Sequence, residues 1–149
     1  MRLGNEKGAA TLSVILLISG ITMELAIAGV IIAMLVSNTA FSSRLSADAL
    51  AVARAGAQDA ELRIVRDKNF ISSGYFEPPG CVLNGSVPCA RVVVEKDSGT
   101  SCSQPISSGQ DCIVSLGTAF TRNRKVEAIL GVDSISGKIN ALSLKEIPL

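Results

Sequence analysis

Twenty-eight consecutive residues, Ala9 to Val36, carry a single formal charge, Glu24. As a helix rising about 1.5 Å per residue the run reaches roughly 42 Å. The hydrocarbon core of a bilayer is about 30 Å thick, so the segment spans it with residues to spare. A soluble domain of this size has no use for so long an apolar stretch. What remains of the 149 residues has room for one small globular domain, joined to the apolar run by a stalk.

Composition narrows the chemistry of that domain. Fourteen Lys and Arg stand against thirteen Asp and Glu. So even a balance builds no field to hold nucleic acid. Aromatic residues make up 3% of the chain and Trp is absent, which removes stacking platforms for bases. His is absent as well. That excludes His-based triads, His general bases and His metal ligands together. The remaining acids and serines are scattered, and no nucleophile has a base within a recognisable motif. The sequence therefore predicts no catalytic site, no cofactor and no resident metal. The Ser-rich stretch from Ser98 to Ser108 reads as solvated loop.

Four cysteines, Cys81, Cys89, Cys102 and Cys112, fall in one window beyond the apolar run. Their spacings do not match the two-residue knuckle of structural zinc sites. Two disulfides in an oxidising compartment are the better reading, with free or metal-bound thiols as the alternative. Three connectivities are possible, and short loops close most easily, which favours Cys81 with Cys89 and Cys102 with Cys112. Each ring contributes roughly 2 to 3 kcal/mol by restricting the unfolded chain.

Ahead of the apolar run lies a polar leader, residues 1–8, with Arg2 and Lys7. A secretory signal would show a shorter apolar core and a small-residue cleavage site behind it. Positive charge alone orients the span weakly, because Arg44 and Arg54 follow on the other side. The disulfides orient it better, placing the C-terminal part outside the cytoplasm.

Behind the run, residues 37–68 keep a helical pattern but turn amphipathic. Phe41, Leu45, Ala49, Val52, Ala53, Gly56, Ala60 and Ile64 recur at steps of three and four, with charged residues on the other faces. No proline precedes Pro78. One continuous helix from about Thr11 to Lys68 is therefore expected, with Gly20, Gly29 and Ser37-Asn38-Thr39 as points where it could bend. Its stripe of Ala and Gly suits close approach to another backbone or to a sheet; the alternative is a helix whose alanines merely reflect propensity.

Residues 69–149 read as a disulfide-stapled β domain. Asn69 to Ala90 is rich in breakers and reads as a loop; within it Asn84-Gly85-Ser86 fits both a turn and an N-glycosylation acceptor. Four strands follow at Arg91 to Lys96, Cys112 to Phe120, Lys125 to Asp133 and Lys138 to Ile147. Short links predict an antiparallel meander for the last three. Their expected apolar faces are Ile113, Leu116 and Phe120; Val126, Ile129 and Val132; and Ile139, Leu142, Leu144 and Ile147. A sheet with one apolar face needs a cover, and the helix around Val52 to Val65 is the element available. The expected fold is α+β, a long N-terminal helix packed on a small antiparallel sheet.

These residues together resemble type IV pilins and pseudopilins. A polar leader ending in Lys7-Gly8 precedes Ala9 and the long apolar helix, and an amphipathic continuation and a small sheet follow. ADALAVARAGAQDAELRI, from Ala47 to Ile64, is similar to the second half of the long helix in PilX-type minor pilins. VSLGTAFTRNRKVEAIL, from Val114 to Leu130, is similar to their penultimate hairpin. The resemblance implies cleavage between Gly8 and Ala9 by a prepilin peptidase. It further implies an inner-membrane assembly platform and packing of the helix among other pilin subunits in a surface filament or its tip. The chain would then sit first in the cytoplasmic membrane as a single-pass protein, N-terminus inside. Two positions depart from the family: Ala9 stands where Phe or Met is usual, and Ser13 where Glu is usual. A reading from another class is an uncleaved, membrane-anchored binding module.

Glu24 poses a physical problem of its own. Near the middle of a bilayer an ionised carboxylate costs on the order of 3 kcal/mol, so it must be neutralised by a proton or a partner. Pairing with a neighbouring helix during assembly is the functional expectation; toleration by its apolar neighbours is the alternative.

Overall fold

A computed structural model describes residues 6–83, 85, 87–97, 99–133 and 136–148, with the backbone alone over 6–11. The potential glycosylation residues Asn84 and Ser86 lie outside the described residues. The chain folds as one long helix, α1 (Glu6–Arg66), and a five-stranded sheet: β1 (Ser72–Glu77), β2 (Cys89–Lys96), β3 (Gln110–Ala119), β4 (Arg122–Val132) and β5 (Ile139–Ile147). The strands run in the spatial order β1-β2-β3-β4-β5, all antiparallel. This is the α+β architecture read from the sequence. Two compact units divide the chain, Met1–Phe41 and Ser42–Leu149.

The helix is already formed at Glu6, the first described residue, inside the polar leader and ahead of Thr11. Glu and Lys are good helix formers, so the leader's own composition extends it. Its hydrogen-bonded course runs unbroken through Gly20, Gly29 and Ser37-Asn38-Thr39. It stops at Arg66, where the Asp67 amide makes a last bond to the Arg63 carbonyl and the Asp67 side chain accepts the Asn69 amide. Arg63 and Arg66 in the last turn complement the negative end of the helix dipole.

In the second unit, Leu45, Ala49, Ala53, Ala57, Ala60 and Ile64 form the buried stripe of the helix. The four between Leu45 and Ile64 are alanine, so the helix backbone lies close against the sheet. The two glycines at the contact show how close. A Cβ on Gly117 would strike the Ala49 carbonyl oxygen and lie 2.6 Å from the Ala53 nitrogen. One on Gly56 would lie 2.7 Å from Ser115 Oγ and 2.8 Å from a Val92 methyl. Below the stripe, Ala90, Val92, Val94, Ile113, Val126, Ala128, Leu130 and Val132 complete the core.

Period two decides these faces, and it corrects the sequence reading at several positions. Ile113 and Val126 face the helix, whereas Leu116 and Ile129 belong to the opposite face, because their register partners Arg91 and Cys112 lie there. Phe120, Leu142 and Leu144 are exposed. So are Phe41 and Val65 on the helix. Phe120 sits in the two-residue β3–β4 connection with φ at +53°, a left-handed conformation that turns the hairpin.

The fifth strand, β1, lies in the segment expected to be loop. Its anchor is polar. Asp59 accepts bonds from the Tyr75 hydroxyl at 2.8 Å and from Arg63 Nε at 2.7 Å. The Arg63 guanidinium lies 4.4 Å over the Tyr75 ring and 5.8 Å from Phe70, and the two rings meet edge to face. Burial and the Asp59 carboxylate push the Tyr75 hydroxyl well above its ordinary pKa, so it remains a donor. Register shifts interrupt the ladder between Ser72 and Tyr75 in β1 and between Ile129 and Leu130 in β4.

Gly117→Ala is expected to lower the unfolding free energy of the sheet unit by about 3 kcal/mol, since backbone atoms of the helix must move. Gly56→Ala should cost less, because the substitution gains about 1 kcal/mol of helix propensity. Gly20→Ala, with nothing within 4 Å, should cost nothing. Denaturation of the full chain in detergent, followed by the fluorescence of Tyr75, its sole tyrosine, measures all three.

Candidate functional site

The apolar segment is exposed along its described length: the large side chains from Leu12 to Val36 are each half exposed or more. Its hydroxyls need no outside partner. Ser19 Oγ donates to the Leu16 carbonyl, Thr22 Oγ1 to Ser19 and Thr39 Oγ1 to Val36, each at 2.9 Å. Such backward bonds let hydroxyls sit in hydrocarbon. Over Leu12 to Val36 the carboxylate of Glu24 is the sole charge, and among the described residues it makes no hydrogen bond or ion pair. Ser13 lies eleven residues earlier, close to three turns, so the two share a helix face about 16 Å apart. The helix does not bring them together. Lys7, Gly8 and Ala9 fall in its first turns, where the backbone alone is described. The segment is long and apolar enough to cross a membrane once.

Both disulfides take the sequential pairing. Cys81 bonds Cys89 with Cα atoms 5.7 Å apart, and Cys102 bonds Cys112 at 6.6 Å. The first staples the loop after β1 to the start of β2. The second seats the β2–β3 loop on the sheet face opposite the helix, and serines on both sides of Cys102 reinforce it. Ser101 donates its amide and hydroxyl to the Glu95 carboxylate of β2, at 3.0 and 2.6 Å. Ser103 does the same to Glu127 of β4, at 2.7 and 2.9 Å. Cys112 lies on β3, between those strands. The tripeptide Ser101-Cys102-Ser103 is thus held to three adjacent strands at once, a structured role for part of the stretch read as solvated loop.

Glu127 is fully buried. Burial alone would push its carboxyl up. The Ser103 amide and hydroxyl, with Lys145 Nζ at 3.5 Å, outweigh that and hold it below its ordinary value. Sequence reasoning passed over Glu127 and Glu95. The available signal was a serine on each side of a cysteine facing two strand glutamates.

Asp111 differs. It too is fully buried, on the helix face of β3, yet neither carboxylate oxygen has a hydrogen-bond partner among the described residues. It lines a cavity of about 520 Å³ at the C-terminal end of the helix, with Lys68, Asn69, Lys96 and Asp97. Lys96, its register partner, donates instead to the Lys68 carbonyl and to Asn69 Oδ1. Burial pushes the Asp111 carboxyl above its ordinary value; Lys96 opposes that and Asp97 adds to it.

No family model, curated protein or solved structure matches this chain.

A carboxyl whose folded pKa is raised stabilises the fold below its unfolded pKa, and that contribution is lost as pH rises through the folded value. Asp111→Asn is therefore expected to raise the unfolding free energy by about 1 kcal/mol at pH 7 and to change it little at pH 3. Chemical denaturation at the two pH values checks the sign. A loss at pH 7 would mean that the charged form has a partner.

Proposed function

We propose that this chain is a structural subunit of the pilin type. Its apolar helix anchors it once in the cytoplasmic membrane, with the disulfide-stapled unit outside. After prepilin peptidase cuts between Gly8 and Ala9, the inner-membrane platform adds it, helix against helix, to other subunits in a surface filament or its tip. No chemistry is asked of it. The observation that carries this reading is the contrast between two stretches of one helix. Residues 45–64 bury a narrow alanine stripe against their own sheet, whereas residues 12–36 bury nothing within their unit. Lipid covers such a surface before assembly and neighbouring helices cover it afterwards. Glu24 supplies the one point in that surface where a polar contact between helices replaces hydrocarbon.

N-terminal mass analysis of protein sheared from the cell surface tests the proposal. The expected species begins at Ala9. A chain retaining Met1 and staying in the membrane fraction would favour an anchored binding module instead. Glu24→Gln and Glu24→Leu should enter the sheared fraction less well than wild type; equal recovery of both would remove the pairing role of Glu24.

A further inference from the structure

The sulfur atoms of Cys102 and Cys112 and a carboxylate oxygen of Glu127 lie within 4.8 Å of one another. We infer that this cluster is an alternative metal site: when the Cys102–Cys112 disulfide is reduced, the two thiolates and Glu127 bind one thiophilic divalent ion of the zinc class. The chain then has two ways to close the same loop, a sulfur–sulfur bond or a metal bridge.

Three features carry the assignment. The donor set of two sulfurs and one oxygen suits a tetrahedral ion that accepts both, with water completing the fourth position. The carboxylate is already oriented. Ser103 holds both of its oxygens, Lys145 lies against one, and these contacts act on Glu127 rather than on the sulfurs. Fixed outer partners of this kind position a ligand and tune a metal. Finally, the site is closed on one side and open on the other. Cys112 and Glu127 are fully buried, whereas Cys102 is part-exposed and leaves a way in for the ion. Glu95 grips Ser101 in the same manner as Glu127 grips Ser103, so the loop stays seated on β2 and β4 when the sulfur–sulfur bond opens.

The steps balance. A dithiol reductant gives two electrons and two protons to the Cys102–Cys112 bond, leaving two thiols and the cyclic disulfide of the reductant. Binding of the divalent ion then releases the two thiol protons to solvent as two metal–sulfur bonds form. Reoxidation by thiol–disulfide exchange with a small-molecule disulfide passes two electrons from the two thiolates to that disulfide, which takes up two protons and leaves as two thiols, while the Cys102–Cys112 bond re-forms and the divalent ion is released.

The test uses the full chain in detergent micelles, reduced with a phosphine and titrated with Co²⁺. One Co²⁺ per chain is expected, with a sulfur-to-metal charge-transfer band and ligand-field bands of four-coordinate intensity, and Zn²⁺ should displace it. The oxidised chain should bind none. Glu127→Gln should weaken binding roughly tenfold or more, Cys102→Ser should abolish the charge-transfer band of the single site, and Cys81→Ser should leave it intact. If Glu127→Gln does not fold, X-ray absorption of the reduced wild type with Zn²⁺ decides the matter, two sulfur and two lighter scatterers being expected. Absence of the band in the reduced wild type, undiminished affinity in folded Glu127→Gln, or four sulfur scatterers would overturn the assignment.

Discussion

The close approach of helix to sheet at Gly56 and at Gly117 governs the sheet unit. A helix and a sheet normally meet through side chains, whereas here the helix comes close enough that neither glycine position has room for a Cβ. That closeness dictates an alanine stripe, because larger side chains would lift the helix away. It has a cost. Ser115 Oγ is trapped beneath Gly56, buried and without a hydrogen-bond partner among the described residues. Polar clasps at the two ends keep the helix in register over this narrow contact. Arg124 reaches Ser46 and Glu146 at one end, and Asp59 holds Tyr75 and Arg63 at the other.

With one face of the sheet so tightly covered, the other needs a cover of its own, and among the described residues there is no second helix to provide it. The loop around Cys102 fills that place. Directional bonds hold it: one disulfide and two glutamates that each accept a serine amide and hydroxyl. A fully buried carboxylate such as Glu127 is tolerable because both of its oxygens accept a bond. Asp111, on the opposite face, lacks such donors and opens into a cavity instead. Among the described residues the buried acids of the sheet thus differ, Glu127 bonded at both oxygens and Asp111 at neither.

The long helix, the α+β class, the sequential disulfides and the covering role of the alanine stripe were all legible, since each rests on a long-period pattern or on short-range chain statistics. Strand β1 was not. Ser-Ser-Gly ahead of Tyr75 has the composition of a turn, and what makes it a strand is a hydroxyl reaching Asp59, sixteen residues back in sequence. The face assignments failed where apolar residues stand three apart, as Ile113 with Leu116 and Val126 with Ile129. Strict alternation sends such pairs to opposite sides, and both sides of the central strands are covered, so hydrophobicity alone does not choose between them. The glutamate clamps were illegible for a related reason: a buried Glu and an exposed one look alike until register is known.

A sheet with two open ends is a template for annealing to its own copies. Both ends of this one are spoiled. At β1 the ladder slips between Ser72 and Tyr75, around a Gly74 held at φ +145°. At the other end β5 meets a slipped β4, carries Lys145 and Glu146 near its finish and is followed by Pro148. These are the devices by which edge strands resist aggregation. The unit can therefore be crowded to high local concentration without its strands fusing, which leaves contact between copies to surfaces other than the backbone of the sheet.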